Sequence, residues 1–451
     1  MTRVEVDLND VTEALRSALA DNDLKTAAHE IAPISVAEAV TVLERLSTKQ
    51  RAVAYRLLPK DDALDVFESL DPVVQGELMG GLRDEEVMTL FEGLDPDDRV
   101  WLMDELPATV AGRLLHGLSP DERRLTASVL GYPKDSVGRR MSPEFVSAHG
   151  DFTVAQTIAR VRERAADAET VYTIPVVNSS RVVIGVVELK DLLVAGNEEI
   201  LSSLMEDPEM VGATESDESA ARRLTDLGFL AMPVVDSEAR LVGIFTIDDA
   251  ARILEYEESQ DAARQGGTED LRRPYLSTPI LHIARSRVVW LLVLAVGASL
   301  TVQVLSVFEA TLAQVTALSL FVPLLIGTGG NTGNQAATTV TRALALGDVH
   351  SSDVWRVAGR EVRVGFFLGL LLGVLGFVIT GAIFGWNIGT VIGLTLLAVC
   401  TVAATIGGCM PLLAKAIHAD PAVFSNPFIS TFTDASGLII YFVIAKAVLG
   451  I

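Results

Sequence analysis

Beyond residue 287 the chain runs through five apolar stretches, 288–308, 313–341, 364–386, 388–413 and 423–449. Each is long enough to cross a hydrocarbon layer of about 30 Å as a helix. Nothing in that layer can pair with a bare backbone N–H or C=O, so a helix that bonds internally is the economical solution. The sequence therefore predicts an all-α, five-span transmembrane bundle.

Positive charge orients the bundle. Arg272, Arg273, Arg285 and Arg287 precede the first stretch, Arg342, Arg356, Arg360 and Arg363 separate the second from the third, and Lys415 separates the fourth from the fifth. All fall on one side if the N-terminus is cytoplasmic, which puts the C-terminus outside the cell. Only Lys446 lies opposite, near a helix end from which it can snorkel. The expected location is a cell (plasma or inner) membrane, with lipid as a partner.

The rest of the chain is different in kind. Residues 1–270 hold 26 Lys+Arg against 53 Asp+Glu, and residues 271–451 hold 10 against 6. The net charges are −27 and +4. An acidic front end has no basic surface for phosphates, so nucleic acid is excluded as a partner. Its first residues lack the apolar core of a signal peptide, and it is expected to stay cytoplasmic. Cys400 and Cys409 lie nine apart in one apolar stretch, too far along a helix for a disulfide. No nucleophile–base pattern, Walker loop or metalloprotease motif is present, so an enzyme is not expected.

Two segments of the membrane half are chemically unusual. The second stretch contains Pro323-Leu-Leu-Ile-Gly-Thr-Gly-Gly-Asn-Thr-Gly-Asn-Gln335, followed by Thr338. Gly329 and Gly333 form a GxxxG pair suited to close helix packing. Alternatively, Asn331, Asn334, Gln335 and Thr338 line a wet pore, where polar groups are tolerated at membrane depth. The fifth stretch contains Ser425-Asn-Pro-Phe-Ile-Ser-Thr-Phe-Thr-Asp434-Ala-Ser-Gly437. Asp434 is the only acid within the five stretches. A carboxylate there costs about 2.5 kcal/mol or more and commonly marks an ion path, though a structural Ser or Thr partner would also account for it.

The front end carries two repeats. Leu43-Glu-Arg-Leu-Ser-Thr48, Phe67-Glu-Ser-Leu-Asp-Pro72, Phe91-Glu-Gly-Leu-Asp-Pro96 and Leu115-His-Gly-Leu-Ser-Pro120 recur every 24 residues. They read as stacked helical hairpins, with Asp or Ser capping a helix that Pro begins. A second repeat has a period of 58: Thr173-Ile-Pro-Val-Val177 returns as Ala231-Met-Pro-Val-Val235, and Ile184–Asp191 as Val242–Asp249. This spacing resembles a tandem pair of CBS domains, which often bind adenine nucleotides. Gly243, Thr246 and Asp249 fit the nucleotide pattern of such pairs. Their counterparts fit only in part, because Glu188 replaces the hydroxyl, and a purely structural pair stays open. After it comes an acidic helix with Glu255, Glu257, Glu258 and Asp261, which reads equally as a solvated face.

The whole order, with both membrane motifs, resembles the MgtE family of magnesium channels. The resemblance implies a multidomain protein: an α-helical, solenoid-like N-terminal domain (1–138), an α/β tandem CBS pair (139–200 and 201–252), a linker or plug helix (253–275) and the five-span bundle (276–451). It implies a homodimer that carries Mg²⁺, with ATP as a candidate ligand of the CBS pair. Asp434 would be the pore carboxylate, with Asn426, Ser430 and Gly327 offering oxygens beside it. Asp97, Asp98, Asp217, Asp248, Asp249, Glu257, Glu258 and Asp261 would bind cytoplasmic Mg²⁺ and close the pore. The family's carboxylates are missing at Trp101, Arg252 and Gln260. Another divalent cargo (Mn²⁺ or Co²⁺), a CBS-regulated carrier of a different solute, and a membrane-anchored nucleotide sensor are the alternatives. An anion path would favour intramembrane Arg or Lys, the reverse of what is seen.

Overall fold

The computed structural model describes residues 7–417 and 426–450, apart from the side chain of Asn426. Residues 423–425, expected at the start of the fifth span, lie outside the described residues. The chain divides into two compact units. One holds the residues up to Glu257 together with Arg272–Thr278, and the other holds Glu258–Leu271 with the chain from Pro279 on.

The first unit opens with ten short helices: Leu8–Ala20, Leu24–Ile31, Val36–Glu44, Thr48–Tyr55, Ala63–Glu68, Pro72–Met79, Asp84–Gly93, Pro96–Glu105, Ala108–Gly117 and Pro120–Leu130 (α1–α10). The 24-residue repeat sets their rhythm. Asp71, Asp95 and Ser119 are the N-caps of α6, α8 and α10, and each is followed by proline in the first turn. Leu43, Phe67 and Phe91, which open three repeats, are fully buried in one shared core.

A device invisible in the repeat motif holds the hairpins together. The residue eight positions after each repeat start reaches back to that start's carbonyl. Arg51 Nε donates to Leu43 O at 2.9 Å, Gln75 Nε2 to Phe67 O at 2.7 Å, Arg99 Nε to Phe91 O at 2.9 Å and Arg123 Nε to Leu115 O at 3.1 Å. These carbonyls lie in the last turn of α3, α5, α7 and α9, where a helix has no acceptor partner of its own. Three of the four donors are no more than 3% exposed.

Next come two three-stranded sheets of identical plan. Ala148–His149, Thr173–Val177 and Val183–Glu188 (β1–β3) form the first, and Val211–Gly212, Ala231–Val235 and Leu241–Thr246 (β4–β6) the second. In each, the first strand runs parallel to the second, and the second pairs antiparallel with the third. Thr173 faces Glu188 and Ala231 faces Thr246, with the same irregularity four residues on. Helices Val154–Arg164, Leu189–Val194 and Asp217–Leu227 (α11–α13) complete the repeats. A β-carbon on Gly185 would lie 2.6 Å from Met205 Sδ, and one on Gly243 would lie 2.5 Å from Met141 Sδ. The methionine that opens each repeat thus seats on a strand glycine of the other repeat. Helix Ile247–Gln265 (α14) leaves the second sheet, and the boundary between the units falls within it. It ends beside Gly267, which has a left-handed φ of 66°, as the glycine pair at 266–267 predicts.

The second unit is helical: Ile280–Val307, Glu309–Gln314, Val322–Ala345, Val354–Phe384, Trp386–Ala416 and Asn426–Leu449 (α15–α20). Among the described residues, α15, α18, α19 and α20 are long and apolar enough to span a membrane. The remaining expected span, α17, has 24 residues, about 36 Å of helix, but glycine, threonine and amide side chains dilute its apolar character. Helix α18 begins ten residues before its apolar stretch and so includes Glu361, which lies outside the span that hydropathy alone predicts. Glycines set the spacing. β-carbons on Gly365, Gly369 and Gly373 of α18 would come within 2.7, 2.7 and 2.6 Å of backbone carbonyls on α19. Two backbones approach this closely only where side chains are absent.

The carbonyl staple makes a stability prediction. Arg51→Ala leaves Leu43 O and Leu46 O buried without that donor, a cost of about 2–4 kcal/mol. Urea unfolding of the intact protein should show the transition of the N-terminal helices at lower denaturant, with the membrane helices unmoved.

Candidate functional site

Two carboxylate sites stand out, one in each unit. In the first unit, α8 and α14 each begin with two acids, Asp97-Asp98 and Asp248-Asp249. A helix N-terminus tolerates acids because its free N–H groups carry partial positive charge. Glu169, on the loop before β2, joins them. Oxygens of Glu169, Asp248 and Asp249 lie within 4.8 Å of one another, close enough to share a metal ion. Asp97 is 3% exposed and its Oδ1 has no hydrogen-bond partner. Thr246 donates to Asp249 Oδ2 at 2.9 Å and fixes that side chain.

Crowded, desolvated carboxylates resist ionisation. Burial, reinforced by Asp249, pushes Glu169 up to about 8. Burial pushes Asp249 up to about 7 although Arg252 pulls the other way. Asp97 is raised well above the usual range, first by burial and then by Asp249. A divalent cation would relieve all three.

Of the expected sensor residues, the structure gathers Asp97, Asp98, Asp248 and Asp249 in one neighbourhood. Asp217 is not among them. It is buried, faces Arg140 Nε at 3.5 Å and accepts the Glu218 N–H at 2.9 Å. Glu257, Glu258 and Asp261 lie further along α14, with Glu258 exposed. Glu169 is the residue that sequence reasoning misses. It sits in the short Asp-Ala-Glu-Thr segment before a strand, and only the fold brings that segment to α8 and α14.

The nucleotide residues are also redistributed. Gly243 backs onto Met141, and Thr246 and Asp249 belong to the acidic cluster. The open cleft, about 390 Å³, lies instead at the other copy of the motif. Tyr172, Phe229 and Leu230 give it an apolar wall, and Glu188, Lys190 and Asp191 line it. Glu188 pairs with Lys190 at 2.6 Å.

In the second unit, α17 and α20 build the membrane site. A β-carbon on Gly330 would sit 3.6 Å from both Asp434 Oδ1 and Ser430 Oγ. Asn334 Nδ2 donates to Ser430 Oγ at 3.0 Å. The glycine run thus lets α20 bring Asp434 and Ser430 against α17. Gly333 packs on Ile429 and Thr433, and Gly329 on Val399 of α19. The glycine-rich segment divides by face: one packs against α19 and α20, and another stays polar. Gly327, Asn331, Gln335 and Thr338 are exposed in the single chain and recur at intervals of about one helical turn. Asn426 begins α20, and its side chain lies outside the described residues.

Comparison with known proteins decides the family. A model of divalent cation transporters matches residues 322–444, one of the MgtE intracellular N domain matches 34–135, and CBS domain models match 136–198 and 199–256. The magnesium transporter MgtE of Thermus thermophilus is 34% identical over 97% of this chain and 98% of its own length. The chain belongs to the MgtE family. The Enterococcus faecalis magnesium transporter MgtE is 31% identical over 70% of each chain. A crystal structure of the cytosolic domain of the Mg²⁺ channel MgtE in complex with ATP is 30% identical and matches with a TM-score of 0.50, covering 54% of this chain and 100% of that one. As a member of that family, the chain is a multi-pass membrane protein with a helical N-terminal domain and a tandem CBS pair.

The cluster's raised carboxyls predict a pH dependence. Each proton occupies an oxygen that a metal ion needs, so Mg²⁺ binding should strengthen as pH climbs through about 7 and then about 8. Stability of the ion-free unit should run the other way. These groups hold protons more tightly folded than unfolded, so stability falls as pH rises from the usual carboxylate range through about 8. Calorimetric Mg²⁺ titrations in buffers of different ionisation heat should register proton release near pH 7 that Glu169→Gln reduces.

Proposed function

We propose that this member of the MgtE family carries Mg²⁺ across a cell membrane, through a pore that two copies of the chain build around Asp434. The observation that carries the reading is the Asp434 carboxylate held against Gly330 beside the Asn334–Ser430 hydrogen bond. Mg²⁺ gives up its waters reluctantly and suits a site of one or two carboxylates with outer oxygens. Asp434 supplies the charge, and Ser430 and the exposed stripe of Gly327, Asn331, Gln335 and Thr338 face the hydrated ion, with Asn426 a further candidate. That stripe covers one side only, so a second copy supplies the opposite wall. The relatives' names and the cytosolic-domain structure of a Mg²⁺ channel support Mg²⁺ and disfavour Mn²⁺ or Co²⁺ as the cargo. The N-terminus faces the cytoplasm, as the distribution of Arg and Lys favours.

The acidic cluster is the regulator in this reading. Mg²⁺ shared by Glu169, Asp248 and Asp249, with Asp97 and Asp98 beside them, binds one arrangement of the N-terminal and CBS domains. By mass action it stabilises that arrangement. This form closes the pore when cytoplasmic Mg²⁺ is plentiful. Glu257, Glu258 and Asp261 on α14 are further candidate ligands. Asp217 instead answers to Arg140. The open cleft beside Tyr172 and Phe229 is the candidate for ATP, which a relative's cytosolic domain binds. Glu188 there disfavours bare phosphate, so a metal-bound nucleotide suits it better.

Two measurements test this. Asp434→Asn keeps the shape and removes the charge, so Mg²⁺ uptake into proteoliposomes should fall to the level of empty vesicles while the protein still folds. Uptake at the wild-type rate would move the ion site elsewhere. Asp249→Asn and Glu169→Gln should keep uptake but shift its inhibition by Mg²⁺ on the cytoplasmic side to higher concentration. Unchanged inhibition in both would remove the cluster from gating.

A further inference from the structure

One face of α8 meets a row of arginines from outside the N-terminal domain. Asp98, Trp101, Asp104 and Glu105 are spaced three or four apart, so they share one side of the helix. Arg252 of α14 places Nη1 2.9 Å from Asp98 Oδ1 and 4.0 Å from Asp249 Oδ1. Its guanidinium lies over the Trp101 ring, 5.6 Å from the centroid, and that of Arg140 lies over the same ring at 4.0 Å. Arg139 Nη2 pairs with Asp104 Oδ1 at 2.7 Å. Arg272 pairs with Glu105 and Arg273 with Glu77. Every acid on this face of α8 therefore already has a cation.

We propose that Arg252 is a built-in counter-cation that keeps the N-terminal domain docked on the CBS pair when no divalent ion is bound. A fixed guanidinium does for Asp98 and Asp249 what a diffusible ion would otherwise have to do. It bridges two carboxylates from different domains and covers an indole face, geometry that a planar, always-charged group provides. The two acids are partly withdrawn from water, Asp98 20% and Asp249 8% exposed against 39% for Arg252, so salt screens the contact less than one between two fully exposed groups. One positive charge does not neutralise the whole cluster. Glu169 and Asp248 remain, and a divalent ion shared by them with Asp249 acts there, beside Asp97. The device rests on the sensor reading and refines it: Arg252 holds the N-terminal domain on the CBS pair, and the arrangement that Mg²⁺ selects differs at the carboxylates around Glu169 and Asp248, not in whether the two domains touch.

The test measures distance in the intact protein. Asp84→Cys and Glu163→Cys, both exposed positions, carry spin labels in a chain with Cys400→Ala and Cys409→Ala. In lipid nanodiscs the distance between labels should be single and unchanged when Mg²⁺ is removed with EDTA. Arg252→Gln should broaden and lengthen it in EDTA and restore it with added Mg²⁺. Arg252→Lys, which keeps charge but loses the fork and the stacking, should fall between. Asp98→Asn removes the same pair from the other side and should reproduce the loss if Arg252→Gln folds poorly. Separation of the unmodified interface on chelation overturns the proposal, and so does a docked interface in Arg252→Gln without ion. Mg²⁺ uptake by the same preparations reads the transport function independently, and its failure would leave the distance result standing.

Discussion

Carboxylates placed where water cannot fully solvate them are the constraint that organises both units. A buried acid must find a cation, a proton or a hydrogen-bond donor. Asp434 stands in an apolar helix with a serine one turn before it. Asp97, Asp249 and Glu169 stand against one another beneath a helical domain. Neither arrangement gains stability for its own sake, since the acids that neither Arg252 nor a proton neutralises oppose folding until a cation arrives. In the proposed function both are used to bind one. The two sites differ in strength of hold. A lone carboxylate suits an ion that must leave again, whereas a cluster of several suits one that stays and reports its concentration.

Close backbone approach is what brings these groups into position. In the membrane unit, glycines on α17 admit α19 on one side and α20 on the other, and the stripe of Gly365, Gly369 and Gly373 seats α18 on α19. Bulkier residues would separate the helices and carry Asp434 away from Gly330. The first unit uses a different device for the same purpose. Arginine and glutamine side chains staple the last carbonyls of each hairpin, so α8 arrives at a fixed rotation. That rotation turns Asp98, Trp101, Asp104 and Glu105 toward the arginines of the CBS side.

What the sequence reveals, and what it hides, follows from this contrast. Periodic features are legible. The 24- and 58-residue repeats predict the hairpins and the paired sheets down to the capping Asp and Ser, because each copy repeats the same local rule. Asp434 is legible because a carboxylate in an apolar run is costly enough to mark itself. Contacts between distant segments are not. Glu169 lies in an inconspicuous four-residue segment, and its role depends on a sheet carrying it to two helix starts. Charge alone groups Asp217 with the sensor acids, yet Arg140 claims it. The staple is hard to see in the repeat because its donor varies between Arg and Gln while its position does not. The nucleotide pattern is complete in one copy of the motif, whereas the space to hold a ligand opens at the incomplete one. In each case residue type is informative and the neighbour is decisive.

Helix α17 shows how local composition bears on assembly. It is the least apolar of the long helices in its unit, and its residues divide into two kinds by face. Gly329, Gly330 and Gly333 are buried against α19 and α20. Asn331, Gln335 and Thr338 face outward from the single chain. Lipid offers such amides no hydrogen bonds, so an outward amide row at membrane depth must meet water or protein. A row that faced only lipid would satisfy neither condition. Two copies related by a two-fold axis would satisfy both, because the row from each copy would face the row from the other across a hydrated path. The same operation would bring together two Asp434 carboxylates, which matches the one or two that a hydrated Mg²⁺ ion uses. In the proposed pore, pairing of the chains and choice of ion therefore rest on a single feature, the division of α17 into a glycine face and an amide face.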